Sequence, residues 1–177
     1  IPIRFYPDIA HTASAEQPVS DWDPAFLITE GREPINPRPV DQRIIFRHVM
    51  PTSVGFVSYS EGVNDDVNKF LWTALGWNSS QSSETILQQY TRTFLAPAQS
   101  RDLVLAIRGL EQNWRGSALS NSSIRPTLAK LKSIAARNHA LRRNWRFQQL
   151  LYRGYYAAYV QERFRAETAS QNRALNL

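Results

Sequence analysis

The chain opens on short alternations of apolar and polar residues and closes on long runs with a helical period. In "PIRFYP", residues 2–7, Ile3 and Phe5 alternate with Arg4 and Tyr6, which predicts a short strand. "DIAHTASAEQPVSDWDP" reads as a loop, and Asp23 followed by Pro24 predicts a helix start into "AFLITE". "GREPINPRPVD" holds three prolines in six residues and reads as a rigid surface loop, since Pro removes N–H donors and fixes φ. Asp41 then predicts a cap for a helix over "QRIIFRHVM", which Pro51 stops. "SVGFVSYS", residues 53–60, predicts an apolar strand. "DDVNKFLWTALGW" predicts a helix with Val67, Phe70, Leu71, Ala74 and Leu75 on one face and Gly76 at its C-cap. Strand, loop, helix, strand, helix is the βα alternation of a parallel sheet or barrel.

Beyond residue 80 only helical periods remain. "SSETILQQYTRTFLA" starts with Ser82 or Ser83 as its cap, and Pro97 ends it. "SRDLVLAIRGLEQNW", "IRPTLAKLKSIAARNHA" and a long run from Leu141 to Leu175 follow. In the last, Trp145, Leu150 (or Gln149), Tyr152, Tyr156, Tyr159 and Phe164 recur near helical spacing, which predicts a buried face with the arginines solvated opposite. The expected fold is therefore α/β followed by mainly α. Residues 1–80 would be the late βα units of a partial barrel, and residues 81–177 an antiparallel helical bundle.

Charge sharpens the division. Residues 1–100 carry 7 Lys/Arg against 11 Asp/Glu, a balance of −4, whereas residues 101–177 carry 14 against 4, a balance of +10. The basic half suits an anionic surface or nucleic acid, or else it neutralises the acidic half by packing against it. The interleaving of Arg with aromatics in "RNHALRRNWRFQQLLYRGYYAAY" is a feature of nucleic-acid binders, yet the aromatic spacing favours the structural reading, so nucleic acid is not the expected partner. The absence of Cys excludes disulfides and thiolate metal sites, and three widely separated His argue against zinc. No apolar run approaches the ~20 residues of a membrane span. No phosphate-binding glycine loop or nucleophile elbow is present, so no cofactor is implied. The opening "IPIRFYPDIAHT" reads as an internal strand, which suggests a piece of a longer chain.

The chemistry-bearing residues gather where the predicted strands end. Ser60, Glu61, Gly62, Asn64, Asp65 and Asp66 follow the second strand. Helix capping and the helix dipole account for Asn64 or Asp65 and for Asp66, but not for Glu61. A carboxylate beside a Gly at a strand end suits hydroxyl binding or acid/base work. Tyr6, Asp8, His11 and Thr12 repeat the arrangement after the first strand, where a Pro7–Asp8 turn is the alternative. Trp22, flanked by two carboxylates in "DWDPAF", suits stacking on a sugar ring or an ordinary core position. Glu33, Asn36 and Arg38 stand on the Pro-stiffened loop.

These segments resemble a known family. "YPD", the Trp-Asp segment, "NPRP", "YSEG", "DDVNKFLWTALGW" and the later "NWRFQ" are similar to the end of barrel glycosidases of the hexosaminidase and α-glucuronidase kind. Asn36-Pro37, Gly55-Phe56 and Leu71-Trp72 stand at matching places. The resemblance implies the last βα units of a (β/α)8 barrel with a helical domain, and glycosidic hydrolysis by paired carboxylates. It implies at most one of that pair in this chain, with Glu61 first and Asp8 second. Tyr6, His11, Asn36, Asn64 and Asp65 would hold hydroxyls, and Trp22 would stack. The implied partners are a carbohydrate substrate and the rest of the barrel or another chain, in a secreted or periplasmic setting.

Overall fold

In the computed structural model, which describes residues 1–10, 35–60 and 62–176, the helical periods become six α-helices. They are α1 (Pro39–Val49), α2 (Asp66–Trp77), α3 (Ser83–Phe94), α4 (Ser100–Gln112), α5 (Ile124–Arg137) and α6 (Trp145–Leu175). Each packs on its sequence neighbour or the one beyond it, as short connections require. Two helix starts follow from their caps. Ser82 Oγ accepts from Thr85 N, and Asn144 Oδ1 accepts from Arg146 N and Phe147 N. Asn144 thereby sets the start of α6 after a 3-10 turn, His139–Arg143, rather than at Leu141.

The expected βα units are not there. Among the described residues there is no β-strand and no sheet, so the partial-barrel fold is corrected to an all-helical one. The predicted strand segments do meet, but only through two isolated parallel bridges, Phe5 to Phe56 and Asp8 to Tyr59. Val54 N donates to Ile3 O, Phe5 N to Gly55 O and Val57 N to Phe5 O, at 2.8 to 3.0 Å. The next bond of a parallel ladder needs the N–H of residue 7. That residue is Pro7, which has none, so the pairing is broken between the two bridges and neither extends into a strand.

Among the described residues two apolar clusters hold the helices together. The first joins α3, α4, α5 and α6 through residues such as Leu87, Leu103, Ile107, Leu131, Ile134 and Phe147, all essentially inaccessible. The second sits between α1, α2 and the paired segments. There Trp72 is surrounded by the rings of Phe5, Phe46 and Phe56, with centroids 6.3, 5.2 and 5.1 Å away, and its Nε1 donates to Gln42 Oε1 at 2.6 Å. Gly76 does not cap α2, which runs on to Trp77 with Asn78 as its C-cap. Its role is close approach: a Cβ there would lie 2.9 Å from the Phe56 ring.

The aromatic face expected to be buried on α6 is largely turned the other way. The helix buries Phe147, Leu150, Arg153, Gly154, Tyr156, Ala157 and Gln161, while Trp145, Tyr152, Tyr155 and Tyr159 are exposed. The basic half also pairs with the acidic half: Arg108 with Glu84, Arg115 with Asp41 and Arg146 with Asp66.

Candidate functional site

Parallel pairing brings the ends of the two segments to the same side of the molecule. Along the first, Phe5, Pro7 and Ile9 turn inward and Arg4, Tyr6 and Asp8 outward. Along the second, Phe56 and Ser58 turn inward and Val57 and Tyr59 outward. The outer face thus carries Tyr6, 61% exposed, and Tyr59, 49% exposed, with Asp8 exposed at the position bridged to Tyr59. Asp8 Oδ1 accepts from Ala10 N at 3.1 Å, which makes the turn after the segment, and the carboxylate lies near enough to the Arg38 guanidinium to interact with it.

A polar lock fixes the end of the second segment. Ser60 Oγ donates to Asp65 Oδ1 at 2.9 Å, and Lys69 Nζ reaches Ser60 Oγ at 2.9 Å, Gly62 O at 2.8 Å and Asp65 Oδ1 at 3.4 Å. The Asp65 side chain is 1% exposed, so this carboxylate shapes the turn rather than facing a ligand. It occupies the N-cap position of α2 without making a side-chain cap bond. Asp66 is also engaged. It accepts from Tyr90 OH at 2.6 Å and from Arg146 Nε at 2.8 Å. Burial, together with that bond, pushes the Tyr90 hydroxyl far above the ordinary phenol range. Asn64 is half-buried and meets Gln149 of α6.

The Pro-stiffened loop is pinned to the first segment by one buried amide. Asn68 Nδ2 donates to Ile9 O at 3.0 Å and Asn36 O at 2.9 Å, and its Oδ1 accepts from Arg38 N at 2.8 Å. Asn36 is 3% exposed, and its Oδ1 has no hydrogen-bond partner among the described residues. Burial lowers the Arg38 guanidinium from its ordinary value, and the nearby Asp8, Asp41 and Glu111 pull it back. Glu111 of α4 caps α1 from outside, accepting from Val40 N and Asp41 N at about 3 Å. Asp41 itself lies in the first turn and pairs with Arg115.

Of the residues singled out from the sequence, the structure places Tyr6 and Asp8 together on the outer face. It places Asn36 and Asp65 in the interior and Asn64 at the contact with α6. Glu61, His11 and Trp22 lie outside the described residues. Tyr59 went unnoticed in the sequence, although the alternation of residues 53–60 already put it on the face opposite Phe56. Among the described residues no three His, Asp or Glu side chains converge as a metal site would require. A separate open groove lies beyond Phe56 and Trp77, and no charged residue lines it among the described residues.

No protein-family model, no curated protein and no solved structure matches the chain. With no solved structure matching and no sheet among the described residues, the resemblance to that family is corrected: the shared short motifs do not carry the barrel fold to this chain.

Proposed function

We propose that the chain binds a carbohydrate at the outer face of the paired segments. The observation that carries this reading is the parallel register, which sets Tyr6, Asp8 and Tyr59 side by side in solvent at the end of a rigid support. Sugar rings present C–H faces that pack on aromatic rings and hydroxyls that donate to a carboxylate. Two exposed phenol rings beside one exposed carboxylate offer both contacts. The support is fixed, because Phe5 and Phe56 are held in the Trp72 cluster and Ser60 is held by Asp65 and Lys69. A ligand therefore meets groups that lose little freedom on binding. The reading is binding alone, and no bond cleavage is part of it.

The test is calorimetric titration of the full chain with a panel of neutral oligosaccharides, repeated with Tyr59→Ala and Asp8→Asn. Each variant is expected to weaken binding about tenfold, which corresponds to ~1.4 kcal/mol. Both side chains are exposed, so melting temperatures should stay within a few degrees of the wild-type value. Affinity unchanged in both variants, or no heat with any sugar, contradicts the proposal.

A further inference from the structure

The outward face of α6 holds a second arrangement, distant in sequence from the paired segments. Trp145, Tyr152 and Tyr159 are 43%, 46% and 52% exposed. They are seven residues apart, close to two helical turns, so they fall on nearly one line. At 1.5 Å per residue, successive members are about 10 Å apart. The opposite side of the helix is the one packed into the bundle, through Phe147, Leu150, Gly154, Ala157 and Gln161. Tyr156 lies between two of the rings, with centroids 6.1 Å from Tyr152 and 6.2 Å from Tyr159, and braces them from below at 8% exposure. Arg146 is held between the Phe94 and Trp145 rings at 4.3 and 4.2 Å and is bonded to Asp66, which fixes the bundle side of Trp145.

The start of this row is basic. Arg146 is paired with Asp66 and Arg153 is buried, and Glu162, three residues beyond Tyr159, is paired with Arg125 and Arg165. That leaves Arg142 and Arg143 as the exposed charges nearest Trp145. Residues 138–161 contain no Asp or Glu, and they include Arg142, Arg143, Arg146 and Arg153. Arg142 and Arg143 are exposed, with no ion pair among the described residues. The turn that carries them is tied to the same stretch of helix, because Gln148 Nε2 donates to Arg142 O at 2.8 Å. Gln148 lies between Trp145 and Tyr152 in sequence, so the cations flank the start of the row.

We propose that this face is a docking strip for a linear acidic polysaccharide. The spacing of the three rings is about the length of a disaccharide unit in an extended glycan, so every second sugar would meet a ring. The exposed arginines would meet its carboxylates. A single-stranded nucleic acid shares the charge but fits the spacing less well, because successive bases stack on closely spaced platforms. Rings about 10 Å apart on a rigid rod leave the bases between them unsupported. The strip stands independently of the paired-segment face, and its test separates the two.

The test is affinity electrophoresis of the full chain in gels containing polygalacturonate, with neutral hydroxyethylcellulose as the control. A fluorescent oligo-dT is titrated in parallel. Polygalacturonate is expected to retard the wild-type protein, and added salt to weaken the effect. Tyr152→Ala with Tyr159→Ala should reduce the apparent affinity at least fivefold, and Tyr152→Phe with Tyr159→Phe should keep most of it. Arg142→Gln with Arg143→Gln should weaken binding and flatten its salt dependence. Lys132→Gln, which removes an exposed cation on α5 outside the row, should leave it unchanged. Equal retardation of the alanine pair and the wild type overturns the strip. So does tighter binding to oligo-dT, equal retardation by the neutral polymer, or dimer formation through the tyrosines without glycan binding. Loss in Tyr59→Ala alone overturns the strip and leaves the paired-segment reading standing.

Discussion

At the residue scale, single buried polar groups hold the parts of the molecule in register. Glu111 is 1% exposed and supplies the acceptors that the first N–H groups of α1 lack. Replacing it with Ala strands those donors, so Glu111→Ala should cost about 1–3 kcal/mol in urea unfolding. Burial pushes the Glu111 carboxyl up from its ordinary value, while the bonds from Asp41 and Val40 oppose the shift. A carboxyl raised in the folded state contributes most to stability below its unfolded pKa. That contribution is lost as pH rises through the raised value. Glu111→Gln should therefore remove a decline in stability that the wild type shows just above the ordinary carboxylate range. An identical pH profile for the two proteins contradicts this account. None of this was legible in the sequence. Asp41 is the acid next to the helix start and drew the capping role, whereas the acceptor that fills it comes from 70 residues away.

At the element scale, the helices were legible and the paired segments were misread, for a definite reason. A 3.6-residue apolar period marks its own structure, and Ser82 and Pro97 mark its ends. An apolar alternation marks only a segment's readiness to pair. Whether it becomes a strand depends on a continuous row of N–H and C=O groups, and Pro7 interrupts that row after one repeat. Hydrogen exchange should show this directly. The amides of Val54 and Val57, which donate across the pair, should exchange more slowly than that of Ser58, which has no such bond among the described residues. Equal protection of all three contradicts the register. On α6 the phase was misassigned because Tyr is comfortable on either face and the buried side includes Arg153, Gly154 and Gln161, which hydropathy does not flag. Of the candidate site, the outward placement of Tyr6 and Asp8 follows from alternation alone. The engagement of Asp65 with Lys69 and Ser60 depends on how the turn folds back, and no spacing rule reveals it.

At the scale of the whole molecule, part of the charge asymmetry between the two halves of the chain is offset by ion pairs that join them. Arg146 and Asp66 are 80 positions apart, and the pair joins α6 to the start of α2 with both side chains largely shielded. Arg146→Gln removes a charge-assisted bond and leaves Asp66 with Tyr90 alone, so it should lower stability by about 2 kcal/mol. The loss should be nearly as large at high salt, since a shielded pair is little screened. A stability difference that vanishes in 1 M salt contradicts this placement of the pair.

The most direct measurement on the proposed carbohydrate-binding face is a map of amide chemical-shift changes on adding a neutral trisaccharide too short to span two rings of α6. The account predicts changes concentrated at residues 6–10 and 57–66, around Tyr6, Asp8 and Tyr59, with α3, α4 and α5 unaffected. Changes centred on those helices, or none with any sugar tried, would contradict it.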